Sequence, residues 1–435
     1  MFCPLSIESE DGTVIWEQKS PNNPLTQRPL ALQMGKESVE SLKTLELFNE
    51  DIGTLKNAGC IIKIMDEDLL VKVHIQSHMM DMKAAHLYLG LGGAYCDLCH
   101  SSKEECINLE KIKTGFDITR DINDLHNIFN ELVQEDGNIL KCKNDYAVRQ
   151  GLTNKPIATN EVISVQVLHA LLRTFDHFMK TSVHLRAGVF DWSESPSSLN
   201  KRFLTKAKQE IQEKIMAEIG VKWDYPDQAG KGGTTTTGNT ARRILHHNRQ
   251  LVIEMIPERL QSIMASYGQK LSVILRIISS SEFVNVKKYK QLCTDLYMFL
   301  VQSFQRVTNK HLTGPWISIT PSLHKLLAHS WELIEMNGDQ GLRKLDESGL
   351  EGNNKILRCI RTKLARKTSQ DDNLVDTLRR LWVGSDPLVN LTRLKAQSYC
   401  KFCQEHGHST RYCTVKKPLF GPSSSDDELF RSLLL

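Results

Sequence analysis

Apolar and β-favouring residues concentrate over Phe2–Ile7 and again over Thr13–Gln18, with Glu10-Asp11-Gly12 between them, which predicts a β-hairpin closed around that turn. Pro29–Met34 is a third apolar run. Over Glu37–Asn57 the period lengthens to helical spacing at Val39, Leu42, Leu45 and Leu47–Phe48. Cys60–Met65 and Leu69–Ile75 then read as strands around Asp66-Glu67-Asp68. From about residue 120 to 340, spacings of three and four dominate. Asn160–Lys180, Lys201–Glu218, Asn239–Met264, Lys288–Arg306 and Pro321–Met336 are predicted helices, with Trp192, Trp223 and Trp316 packing near the connections. A short helix over Asp371–Val383 carries Leu374, Leu378, Leu381 and Trp382 and is closed by Gly384 and Pro387.

The pattern is most informative between His324 and Lys367. Two histidines at H-x4-H spacing, His324 and His329, precede the run Glu347-Ser-Gly-Leu-Glu351-Gly-Asn-Asn-Lys355 and a basic helix from Lys355 to Lys367. Drawn as one helix, Glu351, Lys355, Arg358, Thr362 and Arg366 share a face, and Leu357, Ile360 and Leu364 line the opposite one. That pattern suits an ordinary amphipathic helix with a solvated basic face. It equally suits a metal-binding acid on a surface that grips phosphates. Asp81, which opens Asp-Met-Lys-Ala-Ala after a strand, is likewise either a divalent-cation ligand or a plain helix cap.

Cysteine spacing adds two metal candidates. Cys96-x2-Cys99 follows Gly90-Leu-Gly-Gly-Ala-Tyr and is half a zinc site, with His100 and Cys106 nearby and His324 and His329 far along the chain as further ligands. A redox pair is the rival, although no thioredoxin-like strand–helix context surrounds it. Cys400-x2-Cys403-x4-His408-x4-Cys413 has zinc-knuckle spacing, enough to fold a small loop around one tetrahedral ion. Such knuckles bind single-stranded or distorted nucleic acid, and Lys401, Arg411, Lys416 and Lys417 suit that role. The loop from Ala229 to Gly238 is glycine- and threonine-rich, but Lys231 is followed by Gly232, so the order of a phosphate-binding P-loop is absent. After it come Arg242, Arg243, His246, His247 and Arg249, a second basic cluster. The tail Pro422-Ser-Ser-Ser-Asp-Asp-Glu428 reads as disordered and phosphorylatable.

Composition narrows the class. A chain of 435 residues with 40% hydrophobic and 24% charged residues has room for two or three globular domains. No run of about 18 apolar residues predicts a membrane span, and the first residues lack the features of a signal peptide. Five of the eleven cysteines fall in metal-type spacings, which favours zinc in a reducing compartment over a disulfide framework. Lys355–Lys417 holds fourteen Lys/Arg against five Asp/Glu, a local +9 that leaves about −5 for the rest of a chain whose net charge is +4. A polyanion partner for the C-terminal third follows from that asymmetry.

Four segments occur in an order that resembles a known family: Tyr95-Cys-Asp-Leu-Cys99, Gly238-Asn-Thr-Ala-Arg-Arg-Ile-Leu245, His324-Lys-Leu-Leu-Ala-His329 and Glu347-Ser-Gly-Leu-Glu-Gly-Asn-Asn-Lys355. Over about residues 1–390 the chain is similar to the catalytic subunit of the V(D)J recombinase, the invertebrate recombinase-like proteins and the Transib transposases. The resemblance implies an RNase H-like α/β core interrupted by a long, mainly helical, zinc-containing insertion. On that reading residues 1–92 are the core strands, 93–340 the insertion with a split zinc site, and 341–390 the closing helices. Residues 398–415 are the CCHC knuckle and 416–435 a disordered acidic tail. The resemblance further implies that Cys96, Cys99, His324 and His329 hold one Zn²⁺ that clamps two distant segments.

Members of this family cut DNA with three carboxylates, Asp, Asp and Glu, around Mg²⁺ or Mn²⁺. Asp81 matches the second and Glu351 the third. The first lies upstream of the segment matching residues 2–18, so it and the first core strand have no counterpart here, and Asp11 in its turn is a poor substitute. The catalytic set is therefore expected to be incomplete and the chain alone inactive. By resemblance the activity is metal-dependent nicking and hairpin-forming strand transfer at recombination-signal or inverted-repeat ends. Arg242, Arg243, Lys355, Arg358, Arg366 and Lys367 would contact DNA. A nuclear homodimer with an accessory subunit and no membrane association completes the expectation. Two other classes remain: a non-catalytic DNA- or RNA-binding remnant of such an enzyme, and a structural zinc protein.

Overall fold

The computed structural model describes residues 6–18, 23–29, 43, 49–73, 82–93, 95–102, 104–132, 150–157, 166–189, 198–224, 236–308, 319–392 and 424–435. Asp81, the knuckle ligands Cys400, Cys403, His408 and Cys413, the apolar run 30–34, Trp192, Trp316 and residues 225–235 of the glycine-rich loop lie outside these residues.

In chain order the described strands and helices are β1 (Ser6–Glu8), β2 (Val14–Glu17), α1 (Asn49–Asn57), β3 (Cys60–Ile64), β4 (Glu67–Val71), α2 (Met82–Leu89), α3 (Leu109–Thr114) and α4 (Ile122–Leu132). Then follow α5 (Val167–Ala187), α6 (Ser198–Ile219), α7 (Gly238–Arg242), α8 (Arg249–Ile253), α9 (Glu258–Ile278), α10 (Val286–Thr308) and α11 (Pro321–Met336). The last are α12 (Ser348–Cys359), α13 (Gln370–Gly384), α14 (Pro387–Thr392) and α15 (Ser424–Ser432). The described part is thus mostly helical, and its strands form two separate antiparallel hairpins.

Both hairpins come from turn chemistry. Between β1 and β2, the Asp11 carboxylate accepts from Ser9 Oγ at 2.5 Å and from the Thr13 N–H at 3.0 Å, and Gly12 supplies a φ of 82°. Those bonds hold the Asp11 carboxyl down to about 2, Ser9 contributing most, so this acid is a turn former, as its position implied. Between β3 and β4 the turn is Met65-Asp66, both at positive φ (47° and 68°), one residue earlier than the expected Asp66–Asp68. Glu67 pairs with Ile64 and Asp68 with Lys63, so those acids belong to the strand.

The chain divides into two compact units. One comprises residues 1–106, 116–167 and 344–386, and the other 107–115, 168–343 and 387–435. In the first, Tyr88, Leu89 and Leu91 pack with Leu125, Phe129, Leu152 and Ile157. Helix α12 is fixed to the N-terminal segment in this unit by Asn353 Nδ2 donating to Gln27 Oε1 at 2.8 Å, both residues buried. Lys344 pairs with Glu17, and the Arg28 guanidinium lies 5.2 Å from the centre of the Trp382 ring.

In the second unit α9, α10 and α11 pack together through Leu271, Ile274, Tyr289, Leu296, Tyr297, Leu323 and Leu327, all fully buried or nearly so. The boundaries of α11 match expectation because Thr320 caps it, Pro321 opens it and Asn337 leaves the helix after it. The expected helix over Asn239–Met264 is instead broken. A π-turn at Arg243–His247 is followed by Asn248 at φ −136°, whose Nδ2 donates to Arg243 O at 2.7 Å, and Pro257 then starts a new helix. The tail expected to be disordered carries α15, because Asp426 is buried against Arg249 at 2.6 Å. Among the described residues no helix is long and apolar enough to cross a membrane.

Two buried histidines of this unit make stability depend on pH. His177 Nδ1 bonds the Tyr267 hydroxyl at 2.8 Å and His246 Nδ1 the Ser272 hydroxyl at 2.7 Å. Burial pushes His177 down to about 4 and, with neighbouring His247 and arginines, His246 down to about 3. Below the unfolded value of about 6.5 the unfolded chain takes up protons that the folded chain refuses. The histidine contribution is therefore complete above that value and falls as the pH drops toward 4. Asp176 and Asp346, pushed up to about 6 by burial, act in the opposite sense over the same range, so the histidine contribution is read from a difference between chains. In thermal melts from pH 8 to pH 5, His246→Asn is expected to gain stability relative to the unaltered chain as the pH falls below 6.5, and a difference that stays constant across that range would contradict the assignment.

Candidate metal centre and basic helix

The cysteine pair sits in a turn that glycine makes possible. Gly90 has φ 72°, and a Cβ there would lie 2.4 Å from Asn154 O. This close approach lets Leu91 bridge to Leu152 and Gly92 N–H donate to Gly151 O at 2.9 Å. Arg120 then braces the loop, its Nε donating to Cys96 O at 2.7 Å and its Nη1 to Gln150 O at 2.9 Å. The Leu98 N–H points at Cys96 Sγ at 3.4 Å. Cys99 is held down to about 7, first by its hydrogen bond with Cys96 and then by Ser101 and Arg120, against the opposing effect of burial. Both sulfurs are therefore buried, and that of Cys99 is drawn toward the thiolate form that a metal needs.

The histidine pair lies on α11. Five residues apart, the two side chains leave the axis about 140° apart, yet their rings converge to 5.3 Å between centroids. Each Nδ1 is engaged: Tyr297 OH meets that of His324 at 2.9 Å, and Glu332 Oε2 accepts from that of His329 at 3.0 Å. A ring whose Nδ1 carries the proton offers Nε2 as the metal ligand. Neither Tyr297 nor Glu332 is signalled by ligand spacing. Only an acid three residues after His329 on a helix pointed to the second.

One ligand atom from each of Cys96, Cys99, His324 and His329 lies within 4.8 Å of all the others, and all four residues are buried. A tetrahedral ion with bonds of about 2.0–2.3 Å has donors about 3.3–3.8 Å apart, a spacing of the same order as the separation seen here. Two sulfurs and two imidazole nitrogens are a donor set for a metal such as zinc. His100 and Cys106, the local alternatives, stand outside this group, and His100 Nε2 bonds Thr119 O at 3.1 Å. Among the described residues no other cluster of three such ligands occurs.

Glu351 is exposed in the first turn of α12, and Asp346 and Glu347, just before that helix, are buried. Asp346 accepts from the Ser348 N–H at 3.1 Å, and burial together with Glu347 pushes its carboxyl up to about 6. These two acids escaped the sequence reading because nothing local marks them as inward-facing.

The basic face departs from expectation. Helix α12 ends at Cys359, and Ile360–Leu364 form a π-turn, so positions beyond it are rotated by about one residue. Ile360 and Ala365 are buried with Leu381, whereas Leu364 is 52% exposed. Arg366 lies past the helix and grips Asp376 through Nε at 3.0 Å and Nη2 at 2.9 Å, holding that carboxyl down to about 2. Lys355, Arg358, Lys363 and Lys367 remain exposed. In the second cluster Arg243 donates to Ile219 O at 2.9 Å and Arg249 pairs with Asp426, so these do not form an open cationic surface, and Arg242 is half-buried.

Comparison with known proteins bears on the first unit. Residues 1–94 match the family model of the recombination-activation protein 1 (RAG1) RNase H domain. This match covers the two hairpins and α2, and it supports a RAG1- and Transib-like recombinase relationship. No curated protein matches the chain.

The Glu332 carboxylate behind His329 gives a direct test of the metal centre. Glu332→Gln is expected to weaken zinc binding about 10- to 100-fold, and Cys96→Ser to remove it, as read by chelator competition. Unchanged affinity in both variants would remove the site.

Proposed function

We propose that this chain is the catalytic core of a DDE-type DNA recombinase or transposase. The observation that carries the reading is the match of residues 1–94 to the RAG1 RNase H domain. The buried Cys96/Cys99/His324/His329 group supports it as a structural zinc site. On this reading Asp81 and Glu351 are the second and third carboxylates of the catalytic set. Mg²⁺ or Mn²⁺ bound by them would supply activation of water, and then of a 3′-hydroxyl, for attack at phosphorus.

The chain's own residues contribute position and charge. Asn353 is anchored to Gln27, so α12 presents Glu351 at a fixed point on the unit that holds the matched segment. Lys355 and Arg358 follow on the exposed side of the same helix, where they would offset phosphate charge. The substrate class is double-stranded DNA ends bearing recombination signals or inverted repeats, nicked and joined into hairpins. A homodimer, an accessory subunit and a nuclear location belong to the same proposal, as does a second zinc in the knuckle at Cys400, Cys403, His408 and Cys413. The exposed cations of α12 also favour a second reading, a protein that binds nucleic acid without cutting it.

Two measurements separate these. In the full-length protein Glu351→Ala is expected to lower metal-dependent nicking by about 10²- to 10³-fold, by analogy with other electrostatic catalytic groups, while DNA binding persists. Undiminished nicking would end the catalytic assignment. For binding, the double variant Lys355→Ala, Arg358→Ala is expected to lower the slope of log K against log salt by about 2, near 0.9 for each phosphate that the protein no longer neutralises. No change in slope would remove α12 from the interface.

A further inference from the structure

The C-terminal segment is bound to the second unit in the manner of a ligand. We infer that the face of α8 and α9 lined by Arg249, Gln269 and Arg276 is a docking site for a short acidic peptide of the pattern Ser-Asp-Asp-x-x-Phe, filled by the chain's own residues 424–435.

The contacts are those of peptide recognition. Asp426, fully buried, receives both Nη atoms of Arg249 at 2.6 and 2.7 Å, a fork-to-carboxylate pair with its geometry fixed. Asp427 receives Arg276 Nη2 at 2.8 Å, and the same guanidinium lies 4.3 Å from the centre of the Phe430 ring. Gln269 Nε2 donates to Ser425 Oγ at 3.1 Å. Beyond the helix the last residues add an edge: Asn285 N–H donates to Leu433 O at 2.7 Å, Leu435 N–H to Phe283 O at 3.0 Å, and Val284 bridges Leu434.

Two features mark this occupant as separable from the core. First, α15 has nine residues, too few to persist alone in water, so it gains its helix on docking. Second, its fully buried side chains are one acid, Asp426, and one apolar residue, Leu433, with Leu429, Phe430 and Leu434 half-buried, so charge is a large part of what holds it. An interaction built that way weakens with salt and exchanges for any peptide presenting the same groups. Because residues 424–435 belong to the same chain, they compete for the site as an intramolecular ligand. The site therefore responds to a second acidic peptide only when that peptide outcompetes the chain's own segment, or when Asp426 and Asp427 of that segment are altered.

The test uses a fluorescent synthetic peptide of residues 422–435 and the full chain. A chain carrying Asp426→Ala, Asp427→Ala and Phe430→Ala is expected to bind the peptide, at least tenfold more tightly than the unaltered chain, whose site is filled. Adding Arg276→Glu to that chain should abolish binding, and a peptide with Asp427→Lys should recover at least a tenth of it. Circular dichroism of each variant separates a damaged site from a damaged fold. Failure of the folded triple variant to bind the peptide would overturn the proposal. So would binding indifferent to Arg276→Glu. Displacement of the peptide by an oligonucleotide as readily as by unlabelled peptide would also overturn it, by showing a general anion surface. None of these outcomes depends on whether the chain cuts DNA.

Discussion

Two thiols and two imidazoles buried side by side are a poor arrangement unless a cation joins them. Desolvation opposes charge on Cys96 and Cys99, and each neutral ring among them presents a lone pair that must be met. The surroundings nevertheless favour ligation. Cys99 is drawn down to about 7, and the rings of His324 and His329 each have Nδ1 committed to another residue. Four groups from residues 96–99 and 324–329 converge within 4.8 Å. An ion held by all four would bind the folded but not the unfolded chain, and so would add its binding free energy to folding. The glycine turn at Gly90, the Arg120 brace and the Tyr297 and Glu332 hydrogen bonds are each intelligible as support for this group.

Much of this was legible beforehand, and the reasons are local. Thr320-Pro321 marks the start of α11 through a cap and a proline, both sequence-level signals. Glu10-Asp11-Gly12 marks a turn because an Asp carboxylate that accepts from the chain two residues on, followed by a glycine at positive φ, closes a tight hairpin. Cys96-x2-Cys99 announced half a metal site but could not name its partners. The other half lies on α11, and spacing carries no information about neighbours across such a distance. Resemblance to a family supplied the pairing, and the geometry agrees with it. The tail was misread for the opposite reason. Ser-Ser-Ser-Asp-Asp-Glu has a disordered composition, and its order comes from Arg249 and Arg276, which no local pattern reveals.

The two π-turns explain the remaining departures. Periodicity assumes 3.6 residues per turn throughout, and a single added residue rotates everything after it by about 100°. At Ile360–Leu364 this removes Leu364 from the apolar stripe and brings Ala365 in. At Arg243–His247 it turns His246 inward onto Ser272. Both interruptions fall within segments that a sequence reading took as uniform helices with one basic face. Around Ile360–Leu364 the apolar stripe therefore holds at Leu357 and Ile360 and fails at Leu364, the last residue of the turn.

The same geometry divides cations that look alike in the sequence. Arg366 is committed to Asp376, Arg249 to Asp426 and Arg276 to Asp427, so each sits in a local field already close to neutral. A phosphate approaching any of these must displace a carboxylate held by a short charged bond, and for buried Asp426 it would leave that carboxylate without its cation. Lys355, Arg358, Lys363 and Lys367 stand exposed, with no ion pair among the described residues. Polyanion binding is driven by release of counterions condensed on the nucleic acid, which requires cations that can approach phosphate without first giving up a protein partner. On the DNA-binding reading proposed above, the exposed cations of α12 and of the π-turn after it are therefore the ones that meet a phosphate without that cost. That face begins at Glu351, so the acid to which the proposal gives a metal and the cations to which it gives a phosphate occupy one short stretch of chain.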